Sequence, residues 1–293
     1  MTAGERVDVP FRIVDVFTSR PLAGNPLCVV PEASGLDDQL MQAIANEIGF
    51  SETTFVTEAG RHRYAMRIFT PDQELPFAGH PTLGTAFVLV AEGRVRTPAT
   101  QTVPAGEIPV EVDVGGGTAW MTQLPPVFDA EFADRELAAR AAGLPTNDLH
   151  AGLPVQVVST GLPHLFVPVR DLAALRRARI DQPLVAEACE RSGGEDLYLF
   201  CVHEGGVTAR FFGPTAGIVE DPATGSAAGP LGAYLAERGL AGLPGSVTIR
   251  QGEQVGRPSE LHVEVARGDG GWRVRVGGGV RVVGEGAFHL ETP

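Results

Sequence analysis

The sequence predicts two α+β domains with antiparallel-rich sheets, and three observations carry that prediction. The chain has 293 residues, long for one small core and suited to two domains of roughly 150 residues each. Strand-like runs outnumber helical ones and do not alternate with them, as they would in a parallel doubly wound sheet. A set of local motifs also recurs in the same order in both halves, the mark of an internal repeat. Arg67-Ile68-Phe69-Thr70-Pro71 echoes Arg210-Phe211-Phe212-Gly213-Pro214, and Gly24-Asn25-Pro26 echoes Gly161-Leu162-Pro163. The interval from Gly79 to Gly93 equals that from Gly225 to Gly239. The predicted boundary divides the chain into 1–124 and 125–293, with 281–293 as a strand the first domain can recruit.

Taken in order, Phe11–Thr18 reads as a strand, followed by a Pro/Gly/Asn loop and the apolar strand Leu27–Val30. Asp37–Ile48 reads as a helix: Leu40, Met41, Ile44, Ala45 and Ile48 fall at helical spacing, and Asp37 and Asp38 suit its positive end. Thr53–Val56 and Tyr64–Phe69 read as strands, and Pro81–Glu92 as a helix with proline first and Gly93 just past its end. In the second half Pro154–Thr160, Leu165–Val169, Leu197–Val202 and Val207–Phe212 are strand-like. Ala227–Arg238 is helical, and Glu260–Val265 and Trp272–Val276 alternate as half-buried strands do. Arg135–Ala142 and the cluster Arg176-Arg177-Arg179 read as solvated faces.

Composition excludes several classes. The formal net charge of -13 argues against a nucleic-acid surface, which needs clustered Lys and Arg. It leaves room for an anionic substrate, because backbone N–H groups hold anions inside acidic proteins. No window approaches the ~18 consecutive apolar residues of a membrane span, and Met1–Val9 lacks a charged-then-apolar signal pattern. Cys28, Cys189 and Cys201 are scattered and odd in number, giving neither a disulfide framework nor a zinc spacing. A cytoplasmic location is expected.

Two loops have the makings of a site. Phe77-Ala78-Gly79-His80-Pro81-Thr82-Leu83-Gly84 leads into a helix whose first N–H groups can hold a carboxylate without any cation. Glu220-Asp221-Pro222-Ala223-Thr224-Gly225-Ser226-Ala227 repeats that arrangement and adds an acid and two hydroxyls. Three side chains are candidate proton carriers. Glu52, in Ser51-Glu52-Thr53-Thr54, is either a general base or a solvated turn residue. His80 reads equally as a proton shuttle or as a hydrogen-bond partner of its loop. Asp221 either orients a substrate amine or hydroxyl or stabilises the Asp-Pro turn. His164 follows the second-half echo Gly161-Leu162-Pro163 and is a further candidate to line a cleft. His62, His150, His203, His262 and His289 have no metal-ligand spacing and read as surface or strand-end residues.

Asp15-Val16-Phe17-Thr18, Gly24-Asn25-Pro26, Ser51-Glu52-Thr53, Phe69-Thr70-Pro71, Gly79-His80-Pro81-Thr82 and Asp221-Pro222-Ala223-Thr224-Gly225-Ser226-Ala227 stand in the order and at about the spacing found in the phenazine-biosynthesis PhzF-like family, which the chain resembles over nearly its whole length. The resemblance implies a diaminopimelate epimerase-like fold: two pseudo-twofold related domains, each an antiparallel barrel-like sheet around a central helix, with one site between them. It implies a cofactor-independent isomerase without metal, with Glu52 as the acid/base on a dihydro-hydroxyanthranilate-type substrate. His80, Asp221 and Ser226 resemble the other polar groups of that site. Asn25 and the N–H groups of Gly79, His80, Gly225 and Ser226 are then substrate contacts, and a homodimer is implied.

In related cysteine-dependent racemases each facing helix start carries a thiol, and those positions are Ala78 and Thr224 here. Neither side chain replaces a thiol/thiolate pair near neutral pH, which disfavours two-thiol racemisation. Three function classes stay in play. They are the isomerase; another acid–base reaction at the same site, whether epimerisation, tautomerisation or dehydration; and a non-catalytic metabolite-binding protein of the same fold.

Overall fold

The computed structural model describes residues 6–214, 217–241, 245–268 and 271–291. The last two residues of the expected stretch 281–293, and the first five of Met1–Val9, lie outside them. The described chain falls into two compact units. One is the chain through Met121 together with the chain from Gly278 onward, and the other is Thr122–Gly277. Among the described residues no helix is long and apolar enough to cross a membrane.

The first unit contains β1 (Arg6–Val16), β2 (Asn25–Val30), β3 (Thr53–Ala59), β4 (Arg63–Phe69), β5 (Glu74–Leu75), β6 (Ala99–Val103), β7 (Gly106–Asp113) and β8 (Thr118–Thr122), and takes the later part of β17 (Gly271–Glu291). β1 runs antiparallel to both β17 and β2, in registers Phe11↔Gly286 and Val14↔Leu27. The order continues through β3, β4, β6 and β7 to β8, which pairs with β17 and closes the ring. At that seam Val280 N–H donates to Gly117 C=O at 2.9 Å. The sheet is mostly antiparallel. Only β2–β3 and β4–β6 are parallel, because helices α1 (Asp38–Ile48) and α2 (Gly79–Ala91) carry the chain back to its starting end.

α1 is capped by the Asp37 carboxylate, which accepts from Leu40 N–H at 2.8 Å. It buries Met41, Ile44 and Ala45 in a cluster with Phe55 and Phe69. α2 carries no charged residue and is buried from Gly79 through Leu89, as expected of a helix that is apolar all round. Gly84 lets it lie close against β1 and β2: a Cβ there would sit 2.6 Å from Leu27 Cδ2. The helix starts at Gly79, earlier than the expected Pro81. Pro81 therefore lies inside the first turn, where a missing N–H is not missed because no carbonyl of the helix is there to accept it.

The second unit contains β9 (Val127–Glu131), β10 (Gln156–Ser159), β11 (Pro163–Pro168), β12 (Asp196–His203), β13 (Gly206–Gly213), β14 (Ile218–Asp221), β15 (Gly245–Gln251), β16 (Ser259–Gly268) and the first part of β17. Its helices are α3 (Arg135–Ala141), α4 (Leu172–Arg177), α5 (Gln182–Ser192) and α6 (Gly225–Glu237). From β10 to β16 the strands follow the same order as β1 to β7 and the same succession of parallel and antiparallel neighbours, with β11–β12 and β13–β15 parallel. α6 stands where α2 stands in that succession. It is buried from Gly225 through Ala236, and a Cβ on Gly232 would meet Val263 Cγ1 at 2.5 Å. Like α2, it begins earlier than the expected residue, here Ala227.

The expectation of a solvated face over Arg135–Ala142 is corrected. Leu137, Ala138, Ala139 and Ala141 are buried in one cluster with Val185, Ala188 and Cys189 of α5. Alanines read as neutral in a charged run, yet here they let two helices pack closely. Arg135 turns back to the carbonyls of Leu153 and His150 at 2.9 and 2.8 Å.

Candidate active site

In the first unit α1 ends at Gly49 in the left-handed conformation, and the turn before β3 carries Glu52, which is only 7% exposed. His80, 3% exposed, is the second residue of α2. Its Nε2 lies 3.5 Å from Glu52 Oε2. Burial pushes the imidazole down to about 3, opposed by a hydrogen bond to the Pro26 carbonyl. Nε2 has no hydrogen-bond partner among the described residues, so the donor to Pro26 is Nδ1–H and the neutral ring turns an Nε2 lone pair toward Glu52. A carboxylate oxygen opposite that lone pair is repelled. One proton on either atom turns the contact into an attraction. The pair is thereby suited to holding and releasing a single proton.

The neighbouring loop is drawn into the same place. Asn25 is fully buried at the start of β2, and its Oδ1 accepts from Ser51 Oγ at 3.3 Å. Asn25, Glu52, Gly79 and His80 are thus brought together by three links: Ser51 to Asn25, His80 to Pro26, and His80 to Glu52.

In the second unit Asp221 ends β14 and is 5% exposed. Thr224 Oγ1 donates to Asp221 Oδ2 at 2.6 Å. Gln251 holds both ends of this loop: its Nε2 donates to the Asp221 carbonyl at 2.8 Å and to Thr224 Oγ1 at 3.0 Å. Its Oε1 accepts from Thr224 N–H at 3.3 Å and from Tyr198 O–H at 2.9 Å. Gly225 and Ser226 open α6, where Ala227 and Ala228 N–H donate to the Thr224 carbonyl. The N–H groups before them have no carbonyl of the helix to meet. Such a helix start favours an anion. Gln123 Nε2 also donates to the Gly225 carbonyl at 2.9 Å.

Sequence reasoning missed the polar frame beneath these loops. Arg210 forks onto Glu220 at 2.9 and 2.8 Å, donates to the Leu175 and Ala178 carbonyls, and lies over the Phe212 ring. Arg67 does the same with Glu74 and Phe69 in the first unit. The echo of Arg67-Ile68-Phe69 in Arg210-Phe211-Phe212 was its visible signal. Gln251 and Gln123 left none.

Ala78 and Thr224 are the N-caps of α2 and α6, the positions where the thiol chemistry of other racemases would sit. The three cysteines are buried, and burial pushes the Cys28 and Cys189 thiols up to about 12.

An α+β barrel closed around a buried helix, built twice along one chain, is the fold of epimerase-like isomerases. A family model described as phenazine biosynthesis-like protein matches residues 14–286; the chain belongs to this PhzF-like family and is an isomerase. An uncharacterized isomerase of Deinococcus radiodurans is 39% identical over 289 residues, 94% of this chain and 93% of the relative. The trans-2,3-dihydro-3-hydroxyanthranilate isomerase of Pseudomonas chlororaphis is 37% identical, over 95% of this chain and 98% of the relative. Among solved structures, a PhzF-family phenazine biosynthesis protein of Bacillus anthracis superposes with a TM-score of 0.88 at 30% identity, covering 97% of this chain and 100% of that one.

Proposed function

We propose that the chain catalyses cofactor-independent proton transfer on a small carboxylate-bearing metabolite, with Glu52 as the acid/base. The observation that carries this reading is the buried Glu52–His80 pair at 3.5 Å, built to hold one proton at the start of α2. His80, neutral, keeps that proton within reach of Glu52. The first N–H groups of α2 and α6, at Gly79, Gly225 and Ser226, hold the substrate carboxylate in this reading. Asp221, fixed by Thr224 and Gln251, orients a substrate amine or hydroxyl, and Asn25 is a further contact. A homodimer in the cytoplasm completes the proposal; its support is the reduced state of three buried thiols and the family resemblance.

Glu52→Gln is the test. With trans-2,3-dihydro-3-hydroxyanthranilate, the compound named for the Pseudomonas relative, as substrate, turnover falls by at least the ~10²–10⁴-fold of a lost general base. Binding stays within a few-fold, and deuterium uptake from solvent disappears with turnover. Undiminished turnover in a folded Glu52→Gln enzyme would sink the assignment.

A further inference from the structure

The second unit holds a buried imidazole to which the proposed reaction gives no role. His164 on β11 is 1% exposed, and both carboxylate oxygens of Asp196 lie 2.8 Å from its Nδ1. Its Nε2 is buried with no hydrogen-bond partner among the described residues. A buried polar atom left unmet is destabilising, and its retention points to a partner that arrives from outside the chain.

The strand registers tie this pair to the first unit's acid. Phe55 pairs with Arg67 across β3–β4, and Leu199 pairs with Arg210 across β12–β13. Counting back equally from Phe55 and Leu199 reaches Glu52 and Asp196. The two units thus place a buried carboxylate at the same strand position and lay an imidazole against each, from α2 in one case and from β11 in the other. The pair also neighbours the Asp221 loop. His164 contacts the Phe211 ring edge-on at a centroid distance of 6.1 Å, and Phe211 is the register partner of Asp221. Tyr198 is raised by burial and, after that, by the charges of Asp221 and Asp196.

The two imidazoles differ in what they present. Burial raises Asp196 above the ordinary carboxylate value, with His164 opposing, so this pair keeps a proton. If that proton lies on Nδ1, the ring carries hydrogen on both nitrogens. If it lies on Asp196, the carboxyl donates to Nδ1 and the neutral ring has its hydrogen on Nε2. Either placement makes His164 Nε2 a donor, whereas His80 Nε2 is an acceptor.

We propose that His164 Nε2–H is a ligand-binding donor that takes an anionic oxygen of an aminobenzoate-type carboxylate, with Asp196 as its positioning residue. The ligand class rests on the function proposed above. Negative charge delocalises onto such a carboxylate when a proton leaves a conjugated carbon, and a fixed donor shielded from water stabilises it most at that moment.

The probe is 3-hydroxyanthranilate, the aromatic analogue of the relative's substrate, added to enzyme labelled with ¹⁵N-histidine. The His164 Nε2–H resonance, assigned by its loss in His164→Gln, should move downfield and exchange more slowly with solvent at saturation. His164→Gln and Asp196→Asn should each weaken probe binding about tenfold by calorimetry. A wild-type Nε2–H resonance unmoved at millimolar probe overturns the proposal, even where neither variant folds. Unchanged affinity in both folded variants overturns it as well. A responding resonance together with full turnover by Glu52→Gln would instead refute the acid/base assignment and leave the donor standing.

Discussion

Replacing His80 by glutamine tests the protonation state on which the Glu52 pair depends. The ordinary imidazole value is 6.5, and burial lowers His80 to about 3 in the folded enzyme. The unfolded chain therefore binds a proton at this residue below pH 6.5 that the folded chain refuses. His80's contribution is complete above that pH and is lost progressively as pH falls toward 3, at up to about 1.4 kcal/mol per pH unit. At pH 5 the wild type should have lost about 2 kcal/mol at this site relative to pH 8, and His80→Gln, which does not titrate, should lose none of it. The assay is guanidinium unfolding of both proteins from pH 8 to pH 5. Taking the difference between them cancels the remaining titrating groups. A wild-type-minus-variant difference that stays flat to within about 0.5 kcal/mol would mean that His80 accepts the proton in place. His80 would then face Glu52 as an imidazolium, and the argument for a neutral acceptor would fail.

Two further outcomes follow from the frame around the loops. Arg210→Met strands Glu220, whose side chain is 11% exposed against 5% for Arg210, and should cost about 3–5 kcal/mol in guanidinium unfolding. Arg67→Met should cost distinctly less, since Arg67 and Glu74 side chains are 26% and 34% exposed and water re-solvates the survivor; equal losses would contradict the burial argument. At pH 8 the native enzyme should resist iodoacetamide at Cys28, Cys189 and Cys201 by mass spectrometry, because burial holds these thiols protonated. Rapid alkylation with matching loss of activity would bring thiol chemistry back into consideration.

Legibility in the sequence followed the strength of local patterning. α1 was readable to within a residue, because its apolar spacing and its Asp37 cap agree. α2 and α6 were recognisable as helices, but their starts were placed late because proline and alanine look like better first residues than glycine. β7 was passed over: Ile108, Val110 and Val112 face inward in regular alternation, but Pro109 interrupts the pattern as a turn would. β5 and β14 are short and earn their place only through pairing with β4 and β13. At the site, residue chemistry alone named Glu52, His80 and Asp221. That Glu52 faces His80, that Gln251 grips the Asp221 loop, or that His164 meets Asp196 depends on contacts between residues far apart in the chain. No local pattern encodes such contacts.

The ring of the first unit has a consequence for how the protein comes into being. β1 lies between β2, which leaves the ribosome almost with it, and β17, which emerges last, so that Val9 waits for Phe288 and Phe11 for Gly286. Throughout synthesis of the second unit the nascent first barrel has an open edge, which invites pairing with other chains. The second unit lies uninterrupted in sequence from Thr122 to Gly277, so it can complete its own sheet before the first is sealed. The acid that performs the proposed chemistry therefore sits in the part of the molecule that is finished last.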